Sequence, residues 1–392
     1  MKKILIACAY FDWFSNYQEV GLALALRAHA DVHVIAGDRA NPLFTDENLR
    51  RIEQPRIYPT GTTNENSIRI SRFKTREFRS MLFSKEYKQA VANDDYDLIV
   101  QVMPGFILPA LASRPIGSAP RVVLYGDNRA MYENLSPLGQ KLKRAAFFAT
   151  KGLVYRYCNR GATLAYCYTP DTINRLRPFL GSTQAKLLPL AFDSASFFYS
   201  KSVRENERAR LGFNAEDLVV ATAGKAYHTK RVDLLVKAFD RVAEGHPNLK
   251  LVVAGMLNGS GSREVREAIN DSPFKDRIVS LPLLKTQELN ALFNASDIGC
   301  WPIMPAVTIQ QAMGTGLPVV LPRNNMVGHL LREEGSGLYY APSVEDTRPL
   351  ANALQDGLGL VVENCSRSAL ASSNQWLSSQ QIALDLISLL EE

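Results

Sequence analysis

The chain reads as an α/β protein of two doubly wound parallel-sheet domains, and three observations predict it. Its strand-like stretches, Val219–Thr222 and Leu249–Ala254 among them, are short, apolar and β-branched without polar alternation, as strands buried on both faces are. They alternate with amphipathic helical stretches, the order that winds helices over both faces of a parallel sheet. At 392 residues the chain exceeds one ordinary domain and suits two of roughly 150–200 residues.

The first domain is expected over residues 1–190. Ile4–Ala9 and Val32–Ala36 are strand-like and flank a helix near Gln18–Ala28, and Asp97–Val102, Arg121–Tyr125 and Thr163–Tyr168 continue the series. Met1-Lys2-Lys3 and the short apolar run after it mimic a secretion leader. The run meets Asp12 without a small-residue cleavage site, so it reads as the first strand. Asn41–Asn66 is polar and is expected to be an irregular, mobile loop. The second domain, 191–373, repeats the pattern with strands at Val219–Thr222, Leu249–Ala254, Ile278–Leu281, Ile298–Trp301 and Pro318–Leu321, and a helix at Thr308–Met313. Apolar residues at helical spacing from Trp376 to Leu390 predict a last helix.

A hydrophobic fraction of 46% supplies two cores. No run of about 18 uncharged apolar residues occurs, so no membrane span is expected. Cys8, Cys158, Cys167, Cys300 and Cys365 are scattered without C-x-x-C spacing, which suits reduced thiols and a cytoplasmic location. No histidine falls in an H-x-x-x-H or H-E-x-x-H pattern, so no protein-held metal and no cofactor is expected.

The net charge of +6 is unevenly spread. Arg69, Arg72, Lys74, Arg76, Arg79, Lys85 and Lys88 crowd one stretch, interleaved with Phe73, Phe78, Phe83 and Tyr87. Lys141, Lys143, Arg144, Lys151, Arg156 and Arg160 crowd a second, with Phe147, Phe148, Tyr155 and Tyr157 and no acidic residue. Both read as basic, aromatic helices. They are either ordinary amphipathic helices or interfacial ones that hold the protein peripherally on the inner face of an anionic membrane. No nucleic-acid module accompanies the charges.

The densest chemistry lies in VVATAGKAYHTKRVDLLVKAF, from Val219. A buried strand ends at Gly224; Lys225, His228, Lys230 and Arg231 follow in one loop, and an amphipathic helix begins at Val232. A basic loop entering a helix N-terminus favours an anion, a phosphate or diphosphate by preference.

Some fifty residues on, Asp297–Pro322 contains a strand, a loop, a helix, a Gly-Thr-Gly corner and another strand. Together the two segments resemble the C-terminal domain of GT4-like retaining glycosyltransferases, whose GT-B fold sets two Rossmann-like domains facing a cleft. Lys225 stands where that family has arginine, Lys230 matches its lysine, and Ala312-Met313-Gly314-Thr315-Gly316-Leu317-Pro318-Val319-Val320 matches its A-M-A-x-G-x-P-V-V run. Gln311 replaces the second glutamate of the family's E-x7-E, and the first falls near Ile303. The resemblance is clear over Leu187–Ala341, and Leu187–Asp193 is similar to the family's interdomain hinge.

The resemblance implies a hexosyltransferase of polysaccharide biosynthesis that moves sugar from a nucleotide-diphosphate sugar to a glycan or lipid-linked acceptor. It implies that residues 1–190 bind acceptor, that 191–373 bind donor, and that the helix 374–392 packs back on the first domain. Lys225 and Lys230 would stabilise the leaving diphosphate in place of a metal ion; Asp94 and Asp95 are adjacent and precede a strand, not a D-x-D pair at a strand end. Donor contacts would come from Gly224, main-chain groups at Pro282 or Leu283 (base), Gln311 (ribose), backbone N–H groups of Thr308 and Ile309 (diphosphate), and Ser15 and Asn16. Asp127 is the nearest polar candidate for contacting the transferred sugar or acceptor. A non-catalytic nucleotide-sugar-binding partner, or another GT-B enzyme such as an epimerase, stays open beside this reading.

Overall fold

A computed structural model describes all residues except 16, 79–80, 93–94, 114–118, 127–135, 226, 256–260, 363–365 and 391–392. Asn16, Asp127, Arg79, Asp94 and Cys365 therefore lie outside the described residues. The chain divides into two compact units. Met1–Pro189 and Ile382–Glu392 form one, and Leu190–Gln381 the other. The boundaries anticipated at 190/191 and 373/374 thus fall at 189/190 and 381/382, and residues 374–381 belong to the second unit.

In the first unit, Lys2–Ala7 (β1) runs parallel between Ala30–Gly37 (β2) and, further along the chain, Leu98–Val102. Paired on both edges and covered on both faces, Ile4, Leu5, Ile6 and Ala7 are fully buried, which is why this stretch carries no polar alternation. Gly61–Glu65 (β3), Ile68–Phe73 (β4), the hairpin Arg76–Phe78 (β5) with Met81–Phe83 (β6), Leu98–Val102 (β7), Arg121–Tyr125 (β8), Leu164–Cys167 (β9) and Gln184–Leu187 (β10) follow. The main sheet has the order β10-β9-β8-β7-β1-β2-β4-β3; only β3 runs antiparallel to its neighbour.

The second unit holds Leu218–Ala223 (β11), Leu249–Ala254 (β12), Ile278–Leu281 (β13), Ile298–Cys300 (β14), Val319–Pro322 (β15) and Gly337–Tyr340 (β16). All pairings are parallel, in the order β13-β12-β11-β14-β15-β16. The helix Val232–Ala243 buries Leu235, Phe239 and Val242 in a core shared with β11, β12 and β14. Asp297 is the staple behind β14: it accepts from Arg204 (2.6 Å), Arg208 (3.3 Å) and the Val219 N–H (2.8 Å). Where the chain enters and leaves this unit its two passes are tied. The Phe192 N–H donates to Leu377 O (3.0 Å) and the Ser379 N–H to Phe192 O (2.8 Å).

Two expectations need correction. Asn41–Asn66 is not irregular throughout: Asp46–Arg51 is a helix, capped by the Thr45 hydroxyl, and β3 closes the stretch. Arg69–Lys88 is not one helix. Ile68, Ile70 and Ser71 are buried while Arg69 and Arg72 are less so, and β4 adds to β2; only from Lys85 does a helix run, to Ala92. The second basic stretch is helical, as Pro137–Ala149 and Lys151–Asn159. Cys8, Cys158, Cys167 and Cys300 are buried free thiols.

Candidate functional site

Ligands of open α/β sheets bind beyond the carboxyl ends of the strands. In the second unit those ends lie in the order β13, β12, β11, β14, β15, β16, and backbone contacts draw the first three together. The Gly224 N–H donates to Ala254 O (3.1 Å), and the Gly255 N–H is shared between Leu281 O (3.0 Å) and Pro282 O (3.1 Å). Gly255 has φ +74°, and a Cβ there would stand 2.6 Å from the Gly224 carbonyl oxygen. Gly261 is equally constrained, since a Cβ on it would lie 2.5 Å from the His228 nitrogen. The loop after β11 is therefore packed against bare backbone.

That loop tightens into one 3-10 turn, His228–Lys230. Arg231, in the left-handed region at φ +50°, then starts the helix Val232–Ala243 and pairs in a fork with Asp233, 2.9 Å through each nitrogen. Arg231 is thus neutralised by its own helix. Lys230 is not: among the described residues it has no ion pair and no hydrogen bond through its ammonium. It keeps some accessible surface, yet burial brings its ammonium down from 10.5 to about 8. A desolvated cation with no counter-ion among the described residues marks a candidate anion site. Lys225 sits in the same loop, its carbonyl accepting the Tyr227 N–H (3.0 Å).

Next to β11, the chain leaving β14 enters the helix Val307–Gly314. The Thr308 hydroxyl donates to Ala223 O at the end of β11 (2.8 Å), and Trp301 Nε1 donates to the same oxygen (3.0 Å) and to Thr308 Oγ1 (3.0 Å). This clamp fixes the helix N-terminus beside the basic loop. The N-cap Ala306 offers no side-chain acceptor, so the first N–H groups of the helix, Val307 and Thr308, stay available. The expected donor Ile309 does not: its N–H is taken by Ala306 O (3.0 Å). Gln311 is buried, and its Oε1 has no partner among the described residues. Asn324, after β15, donates to Ile303 O (3.3 Å), which places the two strand-end loops side by side. Pro282 carries no N–H, and its carbonyl accepts part of the Gly255 N–H, so Leu283 is the first main-chain donor at the end of β13.

In the first unit Ser15 closes a 3-10 turn and its hydroxyl accepts the Tyr17 N–H (3.2 Å). Asn16 and Asp127 are outside the described residues. The sequence reading missed two buried carboxyls beyond β1. Asp12 accepts from the Asn41 N–H (2.9 Å) and the Tyr58 hydroxyl (2.8 Å), and burial raises its pKa. Glu19, in the first turn of the helix Gln18–Leu26, is pushed by burial from 4.5 to about 8. Two lone acids inside AYFDWFSNYQEVGLALAL were the available signal. Among the described residues no group of three or more His, Cys, Asp or Glu is placed to hold a metal ion.

Fold and site together define a GT-B protein: two Rossmann-like α/β units, the second with a basic, glycine-lined loop at its strand ends. Residues 203–375 match the family described as Glycosyl transferases group 1. Over 119 residues the chain is 30% identical to a D-inositol 3-phosphate glycosyltransferase of Mycobacteroides abscessus, covering 29% of this chain and 26% of that protein, so it spans about a quarter of that relative's length. The whole chain is similar in fold to a sucrose-phosphate synthase from Thermosynechococcus elongatus (TM-score 0.72, 17% identity, 98% of that chain covered). It is likewise similar to HepE of Anabaena, solved with UDP-glucose (TM-score 0.68, 18% identity, both chains covered in full).

Proposed function

We propose that the protein is a retaining, metal-independent glycosyltransferase of the GT4-like group. It moves a hexose from a nucleotide-diphosphate sugar to a glycan or lipid-linked acceptor, working peripherally at an anionic membrane in polysaccharide biosynthesis. The observation that carries the reading is Lys230, a desolvated cation with no counter-ion among the described residues, in the loop beside a helix N-terminus without a side-chain cap. As the bond between the sugar's anomeric carbon and the diphosphate oxygen breaks, negative charge develops on that oxygen. Lys230 and Lys225 meet it from one side, and the N–H groups of Val307 and Thr308 from the other, in the manner of an oxyanion site. The leaving oxygen takes the acceptor's proton, so no side chain is required as base. Gln311, with its orphaned amide oxygen, accepts from a ribose hydroxyl, and Leu283 pairs with the base. From the first unit, Ser15 and Asn16 would contact the donor phosphates and Asp127 the transferred sugar or acceptor. The family match over residues 203–375 and the UDP-glucose bound by a GT-B protein of this fold support the donor class.

Calorimetry with a panel of nucleoside diphosphates, followed by transfer assays with the matching nucleotide sugars, tests this. One diphosphate should bind, and turnover should persist in excess chelator. Turnover abolished by chelation and restored by magnesium or manganese would rule out the metal-independent mechanism.

A further inference from the structure

The helix Pro137–Ala149 is set on the first unit by a single buried side chain, Phe147. Phe147 lies edge-on to Tyr155 and Phe179 and beneath the Arg175 guanidinium, 4.0 Å from its ring centroid. The other side chains of the helix are exposed or nearly so. They include Leu138 at 67% and Leu142 at 63% exposure, one turn apart; Phe148, near the other end, is exposed on one side and meets the Phe179 ring on the other, 4.6 Å between centroids. Lys141, Lys143 and Arg144 sit among them, and among the described residues none has an ion pair. An isolated helix of this length is marginal in water, and no apolar face of this one is turned inward to compensate. The following helix, Lys151–Asn159, adds exposed Leu153 and Tyr157. From residue 137 to 160 there are six cations and no acidic residue.

The hairpin β5–β6 carries exposed Phe78 and Phe83. It is sixty residues away in sequence, yet β6 and the helix Lys151–Asn159 pack on the same segment, Pro104–Ser113. That segment follows the carboxyl end of β7, the sheet edge at which an acceptor would bind. Exposed leucines and aromatics interleaved with Lys141, Lys143 and Arg144 on helices without an acidic residue, beside a hairpin whose Glu77 is paired with Arg39 (3.7 Å), match an anionic lipid surface and not a second copy of this basic chain.

Resting on the peripheral-membrane reading above, we propose that the first unit docks on anionic bilayers through Leu138, Leu142 and Phe148, with Lys141, Lys143 and Arg144 against the head groups. The exposed hairpin residues Phe78, next to the turn, and Phe83, opposite Arg76, add a second point of insertion. Docking there brings the membrane to the acceptor edge of the sheet.

Flotation of the full chain with phosphatidylcholine vesicles, with and without phosphatidylglycerol, tests the proposal. The parent should float with the anionic vesicles and lose this at high salt. Leu138→Ser/Leu142→Ser and, separately, Lys141→Glu/Lys143→Glu/Arg144→Glu should each lower vesicle affinity at least about tenfold. Circular dichroism and calorimetric nucleotide affinity should match the parent, because these side chains are exposed and outside the donor loops. A parent that ignores anionic vesicles, or a triple variant that binds them as the parent does, overturns the proposal. So does a parent that dimerises through this face while its leucine variant is monomeric. If nucleotide still binds in those cases, the donor reading stands and the docking surface alone falls. Vesicle binding without nucleotide binding would sink the donor reading alone.

Discussion

The two units solve the same problem of holding polar chemistry at strand ends, and they do it with opposite means. In the second unit the strand ends are closed by backbone, through Gly224, Gly255 and Gly261, and the candidate functional group is a cation largely stripped of water. In the first, the polar groups beyond β1 are carboxyls, Asp12 and Glu19, held in an apolar surround that resists their ionisation. A site built from main chain and one lysine leaves a compact trace in the sequence, because glycines and the basic loop fall within a few tens of residues. A site built from lone acids that meet Tyr58 and Asn41 across the chain leaves almost none.

The largest expected effect breaks the backbone closure. Gly255→Ala puts a methyl group 2.6 Å from the Gly224 carbonyl at φ +74°. It should destabilise the second unit by about 1–3 kcal/mol and abolish measurable diphosphate binding. A variant with the parent's melting temperature and affinity would show that the close approach is unimportant.

Next, Lys230→Met removes the charge but keeps the stem. Diphosphate affinity should fall at least tenfold, since such charge-assisted contacts are worth about 1.5–3 kcal/mol. The melting temperature of the ligand-free protein should rise below pH 8. A lysine whose folded pKa is lowered to about 8 stabilises the fold only when neutral, and that contribution is lost as pH falls through 8. The same value sets the pH profile of the parent. Bound diphosphate favours the protonated amine, so affinity should hold below pH 8 and drop above it by up to about tenfold per pH unit. Calorimetry across that range checks it; a flat profile removes Lys230 from the site.

Thr308→Val keeps the shape of the side chain while breaking its bond to Ala223 O and leaving Trp301 one partner fewer. A loss of about 1–2 kcal/mol in stability is expected, with a smaller fall in nucleotide affinity than Lys230→Met gives.

The last test belongs to the first unit, and only its pH dependence is read. Glu19 binds its proton more tightly folded than unfolded. Its contribution is therefore full below about 4.5 and lost as pH rises through about 8. Glu19→Gln should match the parent at pH 5 and melt above it at pH 9.

What was legible follows the same division. All five strands anticipated in the second unit are present, two of them with the expected bounds, Leu249–Ala254 and Ile278–Leu281. Buried parallel strands announce themselves as unbroken apolar runs. In the first unit β4 hid behind Arg69 and Arg72, whose spacing imitates a helix face; its strand character comes from pairing with β2, far back in the chain. The clamp of Trp301 on Thr308 and Ala223, and the orphaned state of Lys230, are products of tertiary burial that spacing alone does not encode. Ile309 was misassigned for a local reason, the tight first turn that engages its N–H.

The paired passes at Phe192 and Ser378 bear on how the chain is made. The second unit is one continuous stretch, Leu190–Gln381, whose two ends are tied through Phe192, Leu377 and Ser379. The first unit is interrupted: its closing piece, from Ile382 on, is synthesised only after the whole of the other unit. The earlier-born unit therefore waits for the later one, and truncation before Ile382 spares the second unit while leaving the first unfinished. A nascent chain stalled at that point would already hold every residue of the later unit, and still lack the last piece of the one it began with.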